Sequence, residues 1–268
     1  MNAIIPIPAL GDNYIWLIHN HREAIAFDAG ASAPLLRILS EQRLDLIALF
    51  STHHHQDHVG GNEAVAQHFR VPVYAPSLET IPAKTHALTG GETLMFPSMN
   101  LRITPLHVPG HTRGHLAYYC EHLNRADNNP PLLFCGDTLF SLGCGRIFEG
   151  SPEEMFASLK KLAALPDATL CCCGHEYTAQ NLRFARWLFP NDLYYQTRAK
   201  EIDHLRAHAL PTVPTTLKEE RLHNPFLRVD DETLRHRVRV LSSFSCTTPV
   251  DTFAALRLLK DQFKSSAP

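Results

Sequence analysis

Residues 51–61 read Ser51-Thr52-His53-His54-His55-Gln56-Asp57-His58-Val59-Gly60-Gly61, which puts four histidines and an aspartate into six positions. The stretch follows an apolar run, Leu46 to Phe50, that reads as a strand, and it precedes a helical pattern from Asn62 to Phe69. In an extended segment alternate side chains share a face, so His53 and His55 point one way and His54 the other. Asp57 and His58 follow at once, and Gly60-Gly61 permits a sharp turn into the helix. This spacing suits a loop at the end of a strand, unlike ligand pairs that work on a helix face. Burying so many ionisable groups together without a cation would be costly, which argues against a plain polar loop. Imidazole and carboxylate are ligands that zinc and similar divalent ions accept, and one tetrahedral ion needs only three or four of them.

Three further candidates each stand directly after a strand-like run: His111 in HVPGHTRGH, Asp137 in LLFCGDTLF and His175 in TLCCCGHEYT. Ends of separate strands converge on one edge of a sheet system, and seven ligands gathered there suffice for two metals. Taken alone, Asp137 also suits a turn or a helix cap. Most of the 17 histidines, His19, His68 and His204 among them, read as ordinary core or surface residues.

The rest of the chain divides by character. Short runs rich in β-branched and aromatic residues (Ile4-Ile5, Tyr14 to Ile18, Ala24 to Phe27, Leu101 to Thr104, Leu116 to Cys120, Leu132 to Cys135, Thr169 to Cys173) read as strands. Helical patterns cover Ala33 to Gln42 and Pro152 to Leu165, the latter opened by a capping box from Ser151 to Glu154. Beyond His175 the apolar residues recur at three and four, over Tyr177 to Phe189, Tyr194 to Ala209, Asp231 to Leu241 and Val250 to Phe263, with no convincing strand. Pro211 to Pro214 is a connector inside this helical region.

Of the 268 residues 44% are hydrophobic, enough for a genuine core, and the net charge of -2 offers no basic footprint for nucleic acid or an anionic membrane. No apolar run approaches the roughly 20 residues of a membrane span, and the N-terminus lacks the features of a signal peptide, so a cytoplasmic protein is expected. The seven cysteines form no Cys-x-x-Cys pair and read as buried reduced thiols, the triplet Cys171 to Cys173 as strand core.

Thr52-His53-His54-His55-Gln56-Asp57-His58, Pro109 to Thr112, Gly136-Asp137 and Gly174 to Thr178 together resemble the metallo-β-lactamase superfamily, and within it glyoxalase II, the hydroxyacylglutathione hydrolases. Asp12-Asn13-Tyr14, Gly143 to Gly150, His175 to Thr178, Asn224 to Arg228 and Arg257 to Phe263 carry the narrower likeness across nearly the whole chain. The resemblance implies an α/β fold, an αββα sandwich over residues 1–173 followed by an α-helical substrate-binding domain over 174–268. It implies His53, His55 and His111 on one metal, Asp57, His58 and His175 on a second, and Asp137 between them. The metals are expected to be zinc, with iron or manganese as alternatives.

Asp57 and Asp137 are the implied catalytic carboxylates, and Arg146, Tyr177, Asn181, Arg257 and Lys260 the implied contacts to a glutathione thioester. Arg146 and Phe148 stand where some members have lysine and tyrosine; arginine still binds a carboxylate, but Phe148 has no hydroxyl to donate. Judged by helix pattern alone, Arg257 and Lys260 belong to a solvated face. The expected reaction is hydrolysis of S-D-lactoylglutathione to D-lactate and glutathione by a hydroxide bridging the metals, in a monomer without nucleic-acid or membrane partners. A thiolate leaves readily, so no dedicated general acid is needed. The alternatives are a glutathione-persulfide sulfur dioxygenase, against which the full second ligand set argues, and a metal-stabilised scaffold, whose sites are normally closed and thiolate-rich.

Overall fold

The computed structural model describes residues 2–124 and 129–263. Its first sheet starts with a hairpin in which β1 (Ala3–Ala9) pairs antiparallel with β2 (Asn13–His19), Ala9 opposite Asn13. Leu10 and Gly11 close the turn with φ of 50° and 102°, a backbone that costs glycine little. β3 (Glu23–Phe27) adds antiparallel to β2, after which β4 (Asp45–Phe50), β5 (Val73–Pro76) and β6 (His86–Leu88) add in parallel. Parallel pairing needs crossovers, and the first two are helical: α1 (Ser32–Gln42) before β4, then α2 (Gln56–Val59) and α3 (Asn62–Phe69) before β5, whereas a loop leads from β5 to β6.

The second sheet contains β7 (Leu94–Phe96), β8 (Leu101–His107), β9 (Leu116–His122), β10 (Leu132–Gly136), β13 (Leu170–Cys173) and β14 (Thr215–Thr216), in the order β14-β13-β10-β9-β8-β7. A two-stranded ribbon, β11 (Leu139–Phe140) with β12 (Gly143–Cys144), follows β10. α4 (Pro152–Ala163) leads to β13, and α5 (Thr178–Leu188), α6 (Leu193–Ala207), α7 (Leu217–His223), α8 (Glu232–Ser242) and α9 (Pro249–Gln262) form the helical region.

Aromatic side chains from both sheets meet between them. Phe27 on β3 stacks on Phe134 on β10 with ring centroids 3.8 Å apart, and Trp16, Phe50 and Tyr118 close around the pair, all buried. Truncating such a buried ring typically costs about 3–5 kcal/mol. The other face of the first sheet buries Ile15, Leu17 and Ala26 against Leu35 and Leu39 of α1 and Val65 of α3. Met155 and Leu159 of α4 share an apolar cluster with Cys171 and Cys172 of β13 and with Phe253 and Leu256 of α9. The expected α/β sandwich with a C-terminal helical region is therefore the observed architecture.

The capping box at Ser151 forms, its hydroxyl accepting from the Glu154 amide while Glu154 accepts from Ser151 N. A second one, Thr248 with Asp251, fixes the start of α9. All seven cysteines are buried and free, as expected of core thiols.

Several local expectations are corrected. The helical region does contribute a strand: after the Pro211 to Pro214 connector, β14 pairs with β13, Thr216 opposite Leu170. β5, β6 and β7 were not legible because each is only three or four residues long. Asp57 and His58 lie on the one-turn helix α2 rather than on an extended loop. Gly60 and Gly61 take ordinary negative φ values, as the cap residues of α2 and α3. What they need is lack of bulk: a Cβ on Gly61 would lie 2.6 Å from Ser32 N and 2.7 Å from Ala29 O.

Candidate metal centre

All seven expected ligands meet at one edge of the sandwich. His53 and His55 follow β4, Asp57 and His58 sit on α2, His111 follows β8, Asp137 ends β10 and His175 ends β13. Three sets of nitrogen and oxygen atoms lie within 4.8 Å of one another: His53 with His55 and His111, Asp57 with His58 and His175, and His53 with His58 and Asp137. In the first trio Nδ1 of His55 is 3.1 Å from Nε2 of both His53 and His111. In the second, Nε2 of His175 is 3.3 Å from Nε2 of His58 and 3.3 Å from Oδ2 of Asp57. Asp137 faces both, its Oδ2 3.4 Å from Nε2 of His111 and 3.4 Å from Nε2 of His175.

The distal nitrogens show what the proximal ones carry. Nδ1 of His58 donates to Oδ2 of Asp28 (3.0 Å), Nδ1 of His175 to Oδ1 of Asp12 (2.9 Å), and Nδ1 of His111 to the Arg146 carbonyl (2.8 Å). Thr52 Oγ1 donates to Asp28 (2.9 Å) and so accepts from Nδ1 of His53 (3.0 Å). These bonds take up the Nδ1 protons and turn four Nε2 atoms inward, those of His53 and His111 as bare lone pairs. His55 can donate to only one of its two nitrogen neighbours, so the first trio cannot satisfy itself with protons. Asp137 adds a buried Oδ1 that has no hydrogen-bond partner, although it stands 3.3 Å from Nε2 of His58. Inward lone pairs and an orphaned carboxylate oxygen are what divalent cations would satisfy, so the residues present fit two such ions.

Electrostatics separates the trios. Burial pushes His53, His55 and His111 down, so the first trio is neutral. Burial also opposes charge on His58 and His175, yet Asp137 and the neighbouring carboxylates outweigh it, and His175 is pushed up to about 10. Asp57 is drawn down, first by its hydrogen bond with His175. Asp137 is held well below the usual carboxylate range, its burial outweighed by His58 and His175. The protein thus surrounds this edge with ionised carboxylates that call for positive charge.

A cavity of ≈ 310 Å³ opens beside Asp137 and His111 and runs past Phe148, Tyr177 and Asn181 to Arg146, Arg257 and Lys260. Tyr177 stacks on His175 at 4.6 Å between ring centroids. Phe148 meets His55 and His111 edge-on at 5.6 and 5.2 Å and is 60% exposed. Asn181 donates to the Ser141 carbonyl (3.0 Å) and packs against Gly143. Arg257 corrects the solvated-face reading: it is buried, donates to the Cys144 carbonyl (2.9 Å) and to Asp261 (2.9 Å), and keeps a buried Nε without a hydrogen-bond partner. Lys260 lies over the Phe184 ring at 5.2 Å, and burial, then Arg257, push it down to about 7.

Sequence reasoning missed the supports. Asp28, at the end of β3, anchors both trios through Thr52 and His58. His115 is fully buried, stacks on His53 (4.8 Å, 19°), and accepts from the Asp137 amide (3.2 Å). Each carries a signal, a polar residue directly after a strand or four positions after a ligand. Gly174 is forced by closeness: a Cβ there would lie 2.6 Å from Cε1 of His58 and 2.7 Å from Oδ1 of Asp137.

Comparison with known proteins matches residues 9–175 to the metallo-beta-lactamase superfamily and residues 176–263 to the hydroxyacylglutathione hydrolase C-terminus. The chain is 45% identical to a hydroxyacylglutathione hydrolase of Nitrosomonas eutropha, covering 98% of this chain and 100% of that one. It is 46% identical to one of Aliivibrio salmonicida with the same coverage, 98% and 100%. Among solved structures, ETHE1 from Myxococcus xanthus superposes with a TM-score of 0.63 at 20% identity, over 98% of this chain and 90% of that one, which shows a shared fold.

Proposed function

Because the chain belongs to the metallo-beta-lactamase superfamily and, within it, to the hydroxyacylglutathione hydrolases, we propose that it hydrolyses S-2-hydroxyacylglutathiones, S-D-lactoylglutathione foremost, to a 2-hydroxy acid and glutathione. The observation that carries this reading is the single cavity with ligand-type carboxylate and imidazole at one end and three cations at the other. In this proposal His53, His55 and His111 hold one divalent ion, Asp57, His58 and His175 the other, and Asp137 reaches both. Zinc is the metal proposed, with iron or manganese as alternatives. When bound, such ions acidify water towards a pKa of about 7 and polarise a carbonyl oxygen.

The chain's own residues do the rest. Asp57 and Asp137 are the catalytic carboxylates: both are held ionised and can accept a hydrogen bond from the attacking water. The far end suits the carboxylate of glutathione. The unpartnered Nε of Arg257 is a donor in waiting, Lys260 can draw back its proton beside an anion, and Arg146 adds a flexible charge. Tyr177 and Asn181 line the wall between, where they would hold the substrate backbone. The departing thiolate needs no proton donor, and among the described residues lining the cavity Asp137 is the one carboxylate at the thioester end.

Residues 174–268 are on this reading the substrate-binding part and 1–173 the catalytic part, in a cytoplasmic monomer acting on a small molecule. Loss of thioester absorbance with S-D-lactoylglutathione, abolished by a chelator and restored by zinc, is the expected result. Oxygen uptake with glutathione persulfide and no thioester loss would overturn it.

A further inference from the structure

His54, the histidine that points away from both trios, has a partner at each nitrogen. Its Nδ1 is 3.2 Å from Oε2 of Glu79 and its Nε2 3.4 Å from Oε1 of Glu149. Whichever nitrogen carries the proton, one carboxylate receives it. Glu79 is 6% exposed and follows β5 of the first sheet, yet its other oxygen accepts from Thr112 Oγ1 and from the Gly114 amide (3.0 Å), on the loop of the second sheet that carries His111. Its Oε2 is buried without a full hydrogen bond and faces His54 alone. Glu149 accepts from the Arg113 amide (3.0 Å) on the same loop and adjoins Phe148, whose amide donates to the His111 carbonyl (3.3 Å).

The need for such a device is local. His55 makes both its close contacts through Nδ1, and its Nε2 finds no hydrogen-bond partner among the described residues. Its ring is placed instead by packing, against His54 at 5.1 Å and Phe148 at 5.6 Å. We propose that His54 is a positioning residue: with Glu79 and Glu149 it clamps together the loops bearing His53, His55 and His111, and thereby sets how tightly that trio holds its metal. The proposal rests on the reading of this trio as a metal site.

The test is competition for zinc between the full-length protein and a chromophoric chelator, which reads two dissociation constants. His54→Ala should weaken one of them about tenfold or more and leave the other within about twofold, since lost outer contacts cost a ligand set about 10–100-fold. Asp12→Ala, which removes the acceptor of His175, should weaken the other constant and so assign the sites. His54→Gln, able to donate to one carboxylate, should recover part of the loss. Unchanged constants in His54→Ala, or equal weakening of both, overturn the clamp. Wild-type protein that binds two zinc ions but leaves S-D-lactoylglutathione intact refutes the proposed function and leaves the clamp standing.

Discussion

At the edge where the candidate ligands meet, four of the five histidines of the two trios hand their distal proton to a fixed acceptor, and two of those acceptors are carboxylates. At the far end of the same cavity, Arg146, Arg257 and Lys260 have among the described residues one carboxylate near them, Asp261, which lies 2.9 Å from Arg257 and 3.7 Å from Arg146. The first region is oriented before anything enters it. The second carries surplus positive charge, its Lys260 pushed down by burial and then by Arg257, and on the proposed function it is completed when an anion arrives. On the proposed function the difference teaches how one cavity would divide labour: orientation is built in where bonds would change, and charge is left uncompensated where the substrate would be gripped.

The strongest blow to this contrast is at Asp137, which touches both trios. Asp137→Asn should lower kcat by at least about a hundredfold, more than loss of an outer contact does, with metal content measured alongside. A variant retaining most of its kcat would mean that the centre does not depend on the carboxylate.

Changes at the far end should move KM instead. Lys260→Met should raise KM about tenfold at a pH below 7 with kcat little changed, because a charge-assisted contact made equally in ground and transition states is lost. The sign of the pH effect follows from its depressed pKa of about 7. Below that pH Lys260 is charged and binds the anion directly. Above it the anion must first draw a proton back, so KM of the wild type should climb as pH rises past about 7. The variant should lack that slope, and an identical slope in both would remove Lys260 from the grip.

The smallest effect is expected at Phe148, where the two regions meet. Phe148→Tyr supplies a hydroxyl to the half-open wall beside His55 and His111, and steady-state kinetics should show KM reduced by about threefold, the worth of one modest hydrogen bond. A change in kcat larger than that in KM would place Phe148 with the orienting region.

Much of this was written locally. Short-range signals survive folding when neighbours in sequence remain neighbours in space: the histidine-rich stretch after β4, the capping box at Ser151, the β-branched and aromatic runs of the longer strands. Arg257 shows the limit, since its helical spacing matches that of any exposed charge and only the packing of α9 against β12 buries it. The brief strands β5, β6, β7 and β14 owe their existence to the longer ones beside them, too few residues in each to carry a pattern.

From the chain alone came the seven candidate ligands, because metal chemistry restricts such residues to a few types at tight spacing, and the sandwich that brings them together. Tertiary structure alone decided which acceptor holds each imidazole, that Asp28 serves both trios, and that Glu79 crosses from one sheet to the loop of the other. Such partners lie up to 163 positions apart in the chain, as Asp12 and His175 do. A single carboxylate or hydroxyl carries no mark of the distant nitrogen it will meet until the backbone brings them together.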